Sequence, residues 1–294
     1  MSGSITLENR FGVNKMELIS LKYAIFVRAL LVLYYCFPKK YRWYVLLAGS
    51  MAYYVIICKW YVLFIIFTIC TTYGSTIWID KLLKKQNAIV KSHKEDWDRQ
   101  TRKEYKEKGR KKRVAVMLFA LLCNFGILAF LKYIPYAGEL GLLLPLGISF
   151  YTFQSMGYVM DVYREIVEPE KNFLKVALFV SFFPQIIQGP IAIYDKLAGQ
   201  LYEGHSLRLE NLQKGALLVL WGVMKKLVIA DRAVNIINFV MDKPMDFSGT
   251  YVFFAAVVYA LQLYADFSGG IDIVRGIAEM FGITMSTNFN HPYF

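Results

Sequence analysis

Histidine is scarce in this sequence: His93, His205 and His291 are the only three in 294 residues. Cysteine is equally sparse, and Cys36, Cys58, Cys70 and Cys123 each stand alone in apolar runs, with no metal-ligand or redox spacing. Buried free cysteine behaves as a small hydrophobe, which is the reading adopted for these four. A metal centre is therefore not expected. No Gly-x-Ser-x-Gly elbow, Walker loop or dinucleotide fingerprint occurs, and Asp266, Ser268 and Asp272 have no histidine matched to them in a hydrolase pattern. Internal repeats and low-complexity tracts are absent, which lowers a transporter built from repeated halves. Met1–Asn14 lacks the basic, apolar and small-residue pattern of a cleavable signal. Charge is also low, at 19% of residues, against 56% hydrophobic.

What is present is long apolar sequence. Residues 60–79, 114–131, 140–160, 176–194 and 247–265 approach or reach the roughly 20 residues that span a bilayer. Leu21–Phe37 is a further span interrupted by Lys22 and Arg28, and Trp43–Cys58 with Trp60–Ile79 reads as a helical hairpin around Lys59. The fold expected is all-α: a polytopic transmembrane helical bundle. Of the net charge of +12, nine units sit in Lys81–Arg113, where fourteen Lys/Arg face five Asp/Glu. A short basic loop between spans is predicted to be cytoplasmic, and together with Pro38–Arg42 it puts the N-terminus outside. Such a loop can also touch anionic membrane lipids. It carries no nucleic-acid-binding motif, so no nucleic-acid partner is expected. The sequence divides into a polar segment (1–20), peripheral N-terminal spans (21–80), the basic loop (81–113) with a solvated helix in it, and a core (114–294).

The core holds the polar residues. Leu140–Met160 contains Pro145, Gly147, Ser149, Thr152, Gln154, Ser155 and Gly157, which helix packing accounts for as readily as a site does. Phe182-Phe-Pro-Gln-Ile-Ile-Gln-Gly-Pro190 puts two prolines, two glutamines and a glycine at membrane depth. That composition predicts a kinked or re-entrant segment lining a polar cavity. Tyr251–Ala265 runs into Asp266, Ser268, Gly269 and Gly270, then Asp272, Arg275 and Glu279 at i, i+3 and i+7 on one helix face. Ionisable groups at a span's end mark a candidate site, with a charged surface helix as the equal alternative. His93 and His205 read as surface residues. His291 adjoins the polar cluster and is a candidate general base, with capping as the other reading.

Three stretches together resemble the membrane-bound O-acyltransferase family, in particular its bacterial alginate O-acetyltransferase branch, with teichoic-acid D-alanyl transferase a more distant relative. They are Leu144–Arg164, Phe182–Pro190, and Leu261–Asp272 through Asn288-Phe-Asn-His-Pro-Tyr293, and they occur in the family's order. The resemblance covers roughly residues 17–294. It implies a multi-pass enzyme of the bacterial plasma membrane with broken helices around a polar cavity. Such an enzyme moves an acyl group from a cytoplasmic thioester, acetyl-CoA or another acyl thioester, with no resident cofactor. The acceptor would be a hydroxyl of a cell-surface polysaccharide or a secreted or periplasmic relay partner. It implies that Gln154, Gln188, Asp266, Ser268, Asp272, Asn288 and Asn290 line the cavity or touch substrate. The family's presumed catalytic histidine follows in a Trp-His pair beyond Phe294, so the chain is read as incomplete and His291, at the variable position of its motif, does not inherit that role. A transporter or channel and an inactive truncated remnant are the competing expectations.

Overall fold

A computed structural model of the protein describes residues 18–93, 96–133 and 144–289. Among them every regular element is helical. The chain forms two compact units: Leu47–Ile186 with Ile191–Tyr202, and residues 18–46 with Ile187–Pro190 and residues 203–289. Three helical stretches, Lys39–Ser92, Arg99–Tyr133 and Gly249–Met280, are long and apolar enough to cross a bilayer. This is an all-α membrane protein.

In the first unit, α3 (Val62–Ser92) packs against α4 (Arg99–Tyr133) and α5 (Ile148–Tyr163). Its interior is mostly apolar and aromatic, with a polar stripe along α3. Thr68, Thr72, Ser75 and Thr76 of α3 and Asn124 of α4 are buried, while Leu63, Ile66, Leu118, Phe119 and Leu122 face outward. An apolar exterior over a helix contact of small and hydroxyl residues is what lipid as solvent favours, since lipid rewards close packing rather than hydrophobic burial. Asn124 Nδ2 donates to Thr71 Oγ1 at 2.9 Å, joining the two helices. The basic segment is helical from Arg99 on, within the solvated helix expected there, and also at its start: α3 runs through Lys91, and α4 begins at Arg99 and passes from charged to apolar without a break. Asp98 caps α4, accepting from the Thr101 amide at 3.0 Å, and its hydrogen bonds to Thr101 hold its carboxyl below the usual carboxylate range.

Two expected spans are not continuous helices. The stretch expected at 140–160 becomes helical only at Ile148, after Pro145 and a Gly147 at φ 71°, and residues 140–143 lie outside the described residues. Gly147 needs its missing side chain twice, for the left-handed backbone and because a Cβ would overlap the Ile186 carbonyl. The stretch 176–194 divides into α6 (Phe173–Ser181) and α7 (Phe183–Gln188), followed by an irregular 189–193 and α8 (Tyr194–Tyr202). The break is at Phe182, whose ψ of 109° leaves the helix before Pro184. Phe183 N–H turns to Ser50 Oγ at 3.1 Å instead of continuing the helix, and the Phe179 carbonyl accepts from Gln154 Nε2 at 2.8 Å. Buried side chains thus take up what the broken helix releases, as membrane-depth backbone requires.

In the second unit, α1 (Leu21–Cys36) ends where Tyr35 Oη donates to the Met280 carbonyl at 2.7 Å. Arg42, at the start of α2 (Arg42–Cys58), stacks over the Tyr34 and Tyr35 rings. Its guanidinium donates to the carbonyls of Phe37, Tyr35 and His205. His205 is accordingly not a free surface residue: its amide donates to Tyr34 Oη, and a Cβ on Gly282 would strike its side chain. The rest is one helical hairpin. α9 (Leu209–Met224), a π-helical turn (Lys225–Ala230) and α10 (Asp231–Met241) form one arm, and α11 (Gly249–Met280) forms the other.

Candidate functional site

The hairpin owes its closeness to four glycines. Gly215 and Gly222 on α9 face Gly276 and Gly269 on α11, both pairs seven residues apart and running antiparallel. A Cβ on Gly215 would lie 2.5 Å from the Gly276 carbonyl oxygen, and one on Gly222 would lie 2.5 Å from that of Gly269. Glycine faces let membrane helices touch through their backbones. Immediately after this contact the first arm widens into the π turn, where Asp231 N–H reaches back five residues to the Lys226 carbonyl. The wider turn presents two successive lysines, Lys225 and Lys226, to α11. Such turns are rare and recur at functional sites.

Both lysines find carboxylates. Lys225 Nζ lies 2.5 Å from Asp272 Oδ2 and 3.4 Å from Ser268 Oγ, and Lys226 pairs with Asp266. Side chains lean toward the N-terminus of their own helix. In an antiparallel pair that brings Lys225 and Asp272 together at the Gly222·Gly269 level. Arg275 Nη1 takes the other oxygen of Asp272 at 3.2 Å, so this carboxylate is bound on both sides by cations. The Lys225 and Asp272 side chains are each only 13% exposed, and the Lys225 ammonium also sits 5.7 Å from the Trp221 ring centre. The Lys225–Asp272–Arg275 group retains one positive charge in excess, and the buried Arg275 Nε has no hydrogen-bond partner.

Gln188, Asp266, Ser268 and Asp272 belong to one unit, and the structure gathers them along α11. The Gln188 amide lies on the backbone of Gly270, in space that a Cβ would occupy, midway between Ser268 and Asp272 in the sequence. Asn288 is exposed; its neighbour Phe289 packs edge-on against Tyr264 and Phe267, which flank Asp266. Gln154 lies in the other unit, 3% exposed and tied to the Phe179 carbonyl. Asn290 and His291 are outside the described residues. Arg275 pairs with Asp272 as its spacing predicts, whereas Glu279 accepts from Thr284 Oγ1 at 3.1 Å. Lys225 and Lys226 carry no site role in the sequence reading, although the matching seven-residue glycine spacings on both arms were a usable signal for their register. Among the described residues no cluster of histidine, cysteine and carboxylate side chains has the makings of a metal site.

Sequence comparison gives the same direction. No family model matches the chain. It is 33% identical over 215 residues to a peptidoglycan O-acetyltransferase of Helicobacter pylori, covering 60% of this chain and 41% of that protein. A probable alginate O-acetylase of Pseudomonas syringae is 36% identical over 153 residues, 51% of this chain and 29% of the relative. A teichoic acid D-alanyltransferase of Bacillus subtilis is more distant, at 25% over 154 residues, 50% of this chain and 38% of the relative. The chain spans less than half the length of these curated relatives. Over the part they share, the chain is similar to these acyltransferases.

Proposed function

We propose that this chain forms part of a membrane-bound O-acetyltransferase that moves an acetyl group from acetyl-CoA or another acyl thioester to a hydroxyl. The acceptor is a cell-surface polysaccharide or a relay partner that hands the group on. The observation that carries this reading is the 33% identity over 215 residues to a protein named peptidoglycan O-acetyltransferase. In the reaction the thioester C–S bond breaks, an ester C–O bond forms, the hydroxyl proton passes to a base and the thiol leaves. Asp272 is not the base in this scheme, because both its oxygens are committed to cations. It tethers Lys225 and Arg275, whose excess positive charge suits the negative charge that develops on the thioester carbonyl oxygen. The setting we propose is the bacterial plasma membrane, with the charged ends of α3 and α4 in the cytoplasm and the N-terminus outside, in line with the positive-inside rule.

The test is label transfer from radioactive acetyl-CoA in membranes carrying the complete natural protein. Label should move to a glycan or a partner protein, and Lys225→Met at unchanged expression should lower the rate by about 100-fold, the scale of one lost oxyanion contact. Absence of transfer by the unaltered protein would sink the reading. Thioester-independent solute uptake into vesicles would favour a transporter instead.

A further inference from the structure

The charged extensions of α3 and α4 line an open cavity of about 530 Å³ that the acyl-transfer reading does not use. The two helices meet where the Gln86 side chain lies on Gly109, in space that a Cβ would occupy. Lys103, Lys106, Arg110 and Arg113 line the cavity from α4, spaced three, four and three residues apart and therefore on one face. Glu107 and Glu165 are its carboxylates. Glu165 is engaged by Arg113, Nη1 to Oε1 at 2.7 Å, while no ion pair involves Lys103, Lys106 or Arg110 among the described residues. The lining thus keeps two positive charges in excess. Arg113 is buried, at 7% exposure, and its Nε has no hydrogen-bond partner. Of the nine Lys/Arg between Arg99 and Arg113, four line this one cavity, with a buried guanidinium at the end of the row.

We infer that this cavity binds a phosphate-bearing anion. Arginine forks match phosphate oxygens in pairs, and lysines add charge without directional demand. The volume is that of a small-molecule site, large enough for a nucleotide diphosphate or a phospholipid headgroup. The site stands independently of any acyl transfer.

The experiment uses the purified complete protein and two probes. ADP is titrated calorimetrically into protein held in neutral phosphatidylcholine nanodiscs, and phosphatidylglycerol retention is followed by native mass spectrometry in a neutral detergent. Lys106 and Arg110 are exposed, so a Lys106→Gln/Arg110→Gln variant keeps the fold. It should weaken the bound probe by about tenfold or more, one charge-assisted contact being worth at least that. Lys111→Gln/Lys112→Gln removes the same charge from residues that do not line the cavity and should bind within about twofold of the parent, since screened surface charges act weakly. ADP binding identifies a soluble phosphate ligand, and phosphatidylglycerol binding identifies a lipid headgroup. Binding of neither probe, or equal loss in both variants, overturns the site.

Discussion

The α3–α4 pair and the α9–α11 pair solve the same problem by different means. Both bring two helices together in an environment that gives apolar contact no special reward. The first pair uses hydroxyls and one amide: Asn124 reaches Thr71, and Ser75 and Thr76 return their hydroxyls to the carbonyl of Thr72. Every group in that contact is neutral, the charges of this pair standing on the helical extensions beyond it, and losing one leaves a small local deficit. The second pair uses bare backbone at four glycines and then sets four charged side chains from its two arms, Lys225, Lys226, Asp266 and Asp272, at the edge of that contact. Arg275 adds a fifth. Polar satisfaction is enough for holding helices together. A buried ionic group with surplus charge set directly against the helix contact costs more than packing needs, which is why the second contact is read as the acyl-transfer site.

That contrast is broken most sharply at Asp272. Replacing it with alanine leaves Lys225 and Arg275 without their shared counter-ion in a region barely open to water. Removing one partner of a buried pair costs about 3–5 kcal/mol, so Asp272→Ala should lower the thermal midpoint in detergent by many degrees. The combined change Lys225→Met/Asp272→Leu leaves only Arg275 unpaired and should recover much of the loss while the rate stays at least about 100-fold low. A single variant as stable as the parent would mean that the ionic group is solvated and the contrast is wrong.

The sequence made much of this legible. Apolar runs identified the membrane helices, and the proline and glutamine content of Phe182–Pro190 identified a broken segment. Span lengths were less legible because they depend on neighbours. Gly147 and Phe182 interrupt helices for reasons set by Ile186 and Ser50, which are remote in the chain. Asp272 with Arg275 could be read from helical spacing alone. The lysines could not, because their partners lie forty or more residues away and become visible only through the register of two glycine pairs. His205 was misread for a related reason: its partners Tyr34 and Arg42 come from the far end of the chain.

A smaller effect separates glycines that touch from glycines that do not. Gly222→Ala places a methyl 2.5 Å from the Gly269 carbonyl oxygen. Overpacking of that kind costs about 1–3 kcal/mol and should also shift the lysines off their carboxylates, lowering activity with the fold retained. Gly126→Ala on α4 meets nothing within 4 Å. There the helical preference of alanine over glycine predicts a gain of up to about 1 kcal/mol. Thermal midpoints of the two variants should move in opposite directions. Equal destabilisation would remove the distinction between the two helix pairs.

The smallest expected change is at Asn124. Its amide nitrogen donates to Thr71 Oγ1 and to the Ala120 carbonyl, both at 2.9 Å, but its buried Oδ1 has no hydrogen-bond partner. Replacement by leucine, close in size, loses one interhelical bond and also removes an acceptor that was costly to bury. Interhelical hydrogen bonds in membranes average about 0.6 kcal/mol, and an unsatisfied buried acceptor carries a penalty of about 1–3 kcal/mol, so the two effects nearly cancel. Asn124→Leu should therefore shift stability by less than about 1 kcal/mol in either direction, a limit set by the same two terms. Label transfer should be unaffected, since neither Thr71 nor Ala120 belongs to the ionic group. A loss approaching that of Asp272→Ala would show that the amide in the first helix pair carries as much as the charges in the second, and the argument that charge marks the site would fall with it.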